Sequence, residues 1–138
     1  MRILLVLLLI AFLDQCDQVV RSDYKSFSEA KDNDLFVRGW LPETHFPKSG
    51  RDIRVNNDLD ANISWGEFYF DTNEYSFFVS QLEPHVEVKS SPLRGWAEKV
   101  RSKLKEGFMI LEHKDPSSTW VFFCKEQMGY CQYSMWTK

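Results

Sequence analysis

The sequence predicts an α+β fold: a single domain on an antiparallel sheet of about five strands, with two or three helices packed on one face. Three observations carry this. Alternating or aromatic-rich stretches recur at 53–55, 63–70, 108–112, 120–125 and 130–136, each bounded by Gly, Pro, Asp, Asn or Ser. Other segments space their apolar residues three and four apart. The helical segments are grouped between strand pairs, unlike the regular strand–helix alternation of a parallel sheet.

In chain order, Met1 and Arg2 precede an apolar run from Ile3 to Leu13. A cationic start and about ten apolar residues describe a secretory leader, and the run stops well short of the about 20 residues that cross a bilayer. Asp14, Gln15 and Cys16 follow. Leu13-Asp14-Gln15-Cys16 resembles the lipobox of bacterial lipoproteins, with Asp14 and Gln15 where that family prefers small residues. The resemblance implies acylation of Cys16 and a membrane anchor. The expected organisation is a leader over 1–16 and one domain over 17–138, in the bacterial envelope facing the periplasm. A soluble periplasmic or secreted product is the alternative.

After a tether through Arg21, Ser22 is expected to cap a helix to about Lys31, with Tyr24, Phe27 and Ala30 at helical spacing. Asp32-Asn33-Asp34 breaks it. Arg38-Gly39-Trp40-Leu41-Pro42 and His45-Phe46-Pro47 are irregular, because each proline removes a backbone donor and holds its predecessor extended. This rigid loop is the expected partner-contact surface, through Arg38, Trp40, Leu41, His45 and Phe46. Ile53 and Val55 then read as a strand, and Asp58, Asp60 and Asn62 shape a turn, since Asp and Asn satisfy turn backbone and tolerate unusual φ. Trp65, Glu67, Phe68, Tyr69 and Phe70 form a strand that is aromatic on both faces.

The string Arg38 to Pro42, Pro47, Ser49, Ile53, Asn57 to Asp60, Asn62, Phe68 and Phe70 resembles a group of short bacterial proteins, many with an export or lipoprotein leader. It covers about a quarter of the chain. The resemblance implies an exported single domain and no particular activity.

Asp71 or Thr72 caps a second helix to about Leu82, which Pro84 ends; His85 to Lys89 is extended. Ser91-Pro92 pairs a cap with proline at the first helical position, and Leu93, Trp96, Ala97, Val100 and Leu104 continue an apolar stripe to Gly107. Arg94, Lys99, Arg101, Lys103 and Lys105 are assigned to its outer face, a solvated surface that could also meet anionic lipid. Phe108 to Glu112 is a strand, Asp115 to Ser118 a turn, and Trp120–Lys125 with Tyr130–Trp136 a closing hairpin. Its loop, Glu126 to Gly129, sets Cys124 opposite Cys131, and an exported chain would oxidise that pair.

The formal net charge of −3 and the lack of a basic stripe argue against nucleic acid. Asp58, Asp60, Asn62 and Ser64 alternate as in a calcium loop, but Ile63 stands where that loop needs glycine and Tyr69 where it needs a bidentate Glu. His45, His85 and His113 lack metal-ligand spacing. No cofactor or metal is expected. The favoured reading is a non-catalytic, lipid-anchored envelope protein that binds a protein partner, one version being an immunity-type protein. The alternative is a small hydrolase or carbohydrate-binding domain using Glu67, Asp58 or Asp60 in an aromatic cleft.

Overall fold

The computed structural model describes residues 18–85 and 91–138. The leader, Cys16 and residues 86–89 of the extended segment expected after Pro84 lie outside the described residues. The described chain builds one antiparallel sheet from β1 (Val19–Ser26), β2 (Arg51–Asp58), β3 (Ile63–Tyr69), β4 (Glu83–Pro84), β5 (Met109–Lys114), β6 (Ser118–Lys125) and β7 (Tyr130–Thr137). Their spatial order is β1-β2-β3-β7-β6-β5-β4. Three short helices accompany it: α1 (Phe27–Asp32), α2 (Tyr75–Ser80) and α3 (Trp96–Lys105). The expectation of about five strands with helices on one face is therefore corrected to seven strands with helices on both.

The two added strands lie at the edges. β1 occupies the stretch where a helix from Ser22 was expected. Val19 and Val20 favour extended backbone, and β2 supplies the ladder, from Val19 opposite Asp58 to Ser26 opposite Arg51. The helix begins one turn later. Ser26 Oγ accepts from the Glu29 N–H at 3.2 Å, while the Glu29 carboxylate reaches back to the Lys25 N–H. At the other edge, β4 contributes only Glu83 and Pro84, paired with β5.

Side chains alternate along each strand, so β6 sends Trp120, Phe122 and Cys124 to one face and Val121 and Phe123 to the other. The first face is covered by α1, the loop after it and α2, through Ala30, Leu35, Leu41, Phe46, Tyr75 and Phe78. The second face is covered by α3, whose Trp96 and Val100 pack with Val121, Phe123 and Trp136. α3 starts at Trp96 instead of Ser91-Pro92. Gly95 precedes it in the left-handed region at φ 72°, which interrupts the helical run that the proline would open.

Cys124 and Cys131 face each other across β6 and β7 and form a disulfide with a Cα–Cα distance of 4.2 Å. Both are buried. A Cys124→Ala/Cys131→Ala variant should keep its fold, because eight rungs from Ser118–Thr137 to Lys125–Tyr130 still pair the strands. It should lose about 2–3 kcal/mol, the loop-closure value for so short a ring. Urea unfolding checks this, and an unchanged midpoint would mean that the hairpin alone sets the local stability.

A polar cleft on the half-covered face

On its second face the sheet is only partly roofed, because α3 packs over β6 and the ends of its neighbours. Beside the helix, a cleft of about 280 Å³ is lined by Arg54, Asn56, Trp65, Glu67, Gln132 and Lys99. Strand register brings these together from four elements. One rung aligns Arg54, Glu67 and Gln132, and the next aligns Asn56, Trp65 and Ser134. Because alternation fixes which side chains share a face, both rungs project toward α3.

The first rung is a closed network. Arg54 Nη1 donates to Glu67 Oε1 at 2.9 Å, and the Tyr130 hydroxyl donates to Glu67 Oε2 at 2.5 Å. Gln132 Nε2 donates to the same hydroxyl at 2.8 Å. Burial and the hydrogen bond to Glu67 push the Tyr130 phenol up to about 12. The second rung is open. Asn56 Nδ2 donates to the Trp65 carbonyl at 3.3 Å, and the Trp65 side chain belongs to a residue 36% exposed. Lys99 Nζ reaches down from α3 to Ser134 Oγ at 2.9 Å. Its ammonium lies 5.3 Å from the Phe123 ring centroid and 5.8 Å from that of Trp96. Burial of the ammonium lowers its pKa from the ordinary lysine value, and the neighbouring Lys103 adds to the effect. The residue as a whole is exposed.

Other residues singled out in the sequence are scattered. Leu41 and Phe46 are core side chains, 1% and 4% exposed, which corrects their assignment to a contact surface. A loop positioned by a scaffold commonly carries contacts, yet here the apolar bulk of these two fills the space above β2 and β3. Arg38 is exposed, and Trp40 and His45 are half-buried. The Trp40 carbonyl accepts from Trp120 Nε1 at 3.1 Å. His45 lies 4.5 Å, ring to ring, from His113, whose pKa is lowered by burial and by His45. Asp58 accepts from the Asp60 and Ala61 N–H groups, and Asn62 takes φ 51°, so these residues build the β2–β3 turn. Glu67 lines the cleft while Asp58 and Asp60 do not. The three carboxylates of the hydrolase reading therefore do not converge. Among the described residues, no group of three His, Cys, Asp or Glu could hold a metal ion.

Lys99 was assigned to the outer face of its helix and belongs instead to the cleft. Its position three residues after buried Trp96 was the available signal, since i and i+3 share a helix face. His85, which the sequence marks only as lacking metal-ligand spacing, is a buried polar side chain, 1% exposed. Trp96 Nε1 donates to His85 Nε2 at 3.3 Å, which leaves the ring proton on Nδ1, facing Glu112 Oε2 at 2.7 Å. An indole can only donate, so this tautomer is the one the contacts permit. Burial alone would raise the Glu112 carboxyl, but hydrogen bonds from His85 and Lys114 outweigh it and hold the pKa below the usual carboxylate value.

Among the described residues, no helix is long and apolar enough to cross a membrane. The disulfide fits an extracytoplasmic location. No curated protein and no solved structure matches the chain. Residues 17–69, spanning β1 through β3, are similar to the family model described as the YbbD head domain. Arg54, Asn56, Trp65 and Glu67 lie within that match, and Lys99 and Gln132 lie beyond it.

Proposed function

We propose that this chain is a non-catalytic binding domain, tethered outside the cytoplasm through acylated Cys16, that engages a protein partner through the uncovered part of its second sheet face. One observation carries the reading. The first face is roofed over its central strands, burying Phe68, Phe70 and Phe122, whereas β2 and β3 present Arg54, Asn56 and an exposed Trp65 on the second face, with no described helix packed over them. An exposed tryptophan ringed by polar groups is the composition of a contact centre. The hydrolase alternative loses its basis, because Glu67 is held by Arg54 and Tyr130 and has no second carboxylate beside it in the cleft.

The test is photocrosslinking in intact cells, with a photoreactive amino acid placed at Trp65, at Asn56 or at Val37. Val37 is 82% exposed in the loop that covers the first face. Discrete protein adducts are expected at Trp65 and Asn56 and none at Val37. Adducts at Val37 with none at Trp65 would return the contact to the loop. Release of the protein from membranes by Cys16→Ser checks the tether separately.

A further inference from the structure

We infer that the cleft receives one carboxylate from an acidic side chain of the protein partner, paired with Lys99 and Arg54 while its carbon stem packs on Trp65; this rests on the binding surface proposed above. Charge favours that occupant. The cleft lining carries Arg54 and Lys99 against Glu67, two positive groups and one negative, so it holds one net positive charge. Arg54 is already shared with Glu67, at 2.9 Å, and Asp23, at 4.0 Å. Lys99 has no ion pair among the described residues, and of its three N–H donors one is used, on the Ser134 hydroxyl.

A cation held over two aromatic rings has surrendered part of its hydration. An arriving carboxylate meets it at reduced dielectric, where a charge-assisted hydrogen bond is stronger than in open water. Size narrows the source. At about 280 Å³ the cleft falls just below the roughly 300–1,000 Å³ of pockets that enclose small-molecule ligands, and it suits a single side chain. Trp65 along its wall supplies the flat apolar surface that an extended Glu stem covers.

The experiment follows the Lys99 Nζ and Trp65 indole resonances of the folded protein during titration. The probes are the capped peptide Gly-Phe-Glu-Gly, its Gln counterpart, and glucuronic acid. Saturable shifts of both residues are expected with the Glu peptide, with affinity about tenfold above the Gln peptide, equivalent to about 1.4 kcal/mol. In Lys99→Gln the preference for the Glu peptide should shrink to what Arg54 alone supports, while the Trp65 resonance still responds and the unfolding midpoint reports an intact fold. Equal binding of the two peptides to the native chain would overturn the carboxylate assignment, as would the absence of any saturable shift. Crosslinks at Trp65 would still uphold the binding face in either case. Glucuronic acid binding as tightly as the Glu peptide would assign the site to acidic sugars and overturn the protein source.

Discussion

Gly66→Ala is expected to cost about 3 kcal/mol or more of stability, among the largest effects of any single methyl group in the molecule. A Cβ at this position would lie 1.9 Å from the Arg54 carbonyl oxygen and 3.0 Å from Tyr133 Cε1. The carbonyl belongs to the paired backbone of β2 and cannot swing away without opening the ladder. Tyr133 is directly opposite Gly66 on β7, fully buried, with its hydroxyl 2.8 Å from Ser64 Oγ. The glycine is thus the place where β2 and β7 both press against β3. Its neighbours Trp65 and Glu67 line the cleft, so the variant should also lose partner crosslinks. Gly95→Ala is the control. It has nothing within 4 Å and φ +72°, so it should lose only the roughly 1–2 kcal/mol of a left-handed alanine. Denaturant unfolding of both variants settles the point: equal losses would show that the close contact at Gly66 relaxes freely.

His85→Ala is the second large effect, expected at about 3 kcal/mol. The His85 side chain is 1% exposed and that of Glu112 is 8% exposed. Removing the imidazole leaves Glu112 Oε2 without its partner, Lys114 holding only Oε1, and takes away the acceptor of the Trp96 indole. The variant should also change the response to acid. In the native protein Glu112 titrates below its unfolded value. Its contribution is therefore complete above the unfolded pKa and is lost as pH falls through the folded one. Without His85, burial is no longer outweighed to the same extent, so the folded pKa rises toward the unfolded value. Stability should then depend less steeply on pH below about 4.5 than in the native protein. A series of unfolding curves from pH 7 to pH 3 measures that slope. An unaltered slope would show that Lys114, 2.8 Å from the Glu112 carboxylate, sets its titration alone.

The two halves of the cleft were unequally legible. Ile53, Val55, Phe68 and Phe70 announce β2 and β3 by alternation, and alternation also places Trp65 and Glu67 on one shared face. Arg54 lies between Ile53 and Val55 and so points to the opposite face, where charged neighbours on adjacent strands commonly pair, as it does with Glu67. The hairpin disulfide was legible for a similar reason: a short loop leaves little choice of register. Gln132 and Lys99 were not legible as members of the same site. They depend on β7 inserting between β3 and β6, and on α3 crossing the face away from the other helices. The stripe of Trp96 and Val100 shows that α3 has an apolar side but carries no record of which sheet face it will cover.

β1 illustrates the opposite failure. Tyr24, Phe27 and Ala30 fit a helical period, and Ser22 is an acceptable cap, so local rules favoured a helix. A ladder with β2 outcompeted them, and Ser26 became the cap. Short segments have small intrinsic preferences, which a row of backbone hydrogen bonds readily exceeds.

By itself, then, the sequence determined β2, β3, β5, β6 and β7, the Asp58–Asn62 turn and the pairing of Cys124 with Cys131. Each follows from neighbours close along the chain, where a period of two, a turn residue or a short loop leaves few alternatives. Only the tertiary structure decided that β7 lies between β3 and β6, that the helices divide between the faces, and that Lys99 comes to rest beside Trp65. Those outcomes turn on contacts between segments distant in sequence, whose burial and hydrogen bonding exist only once the whole sheet has assembled.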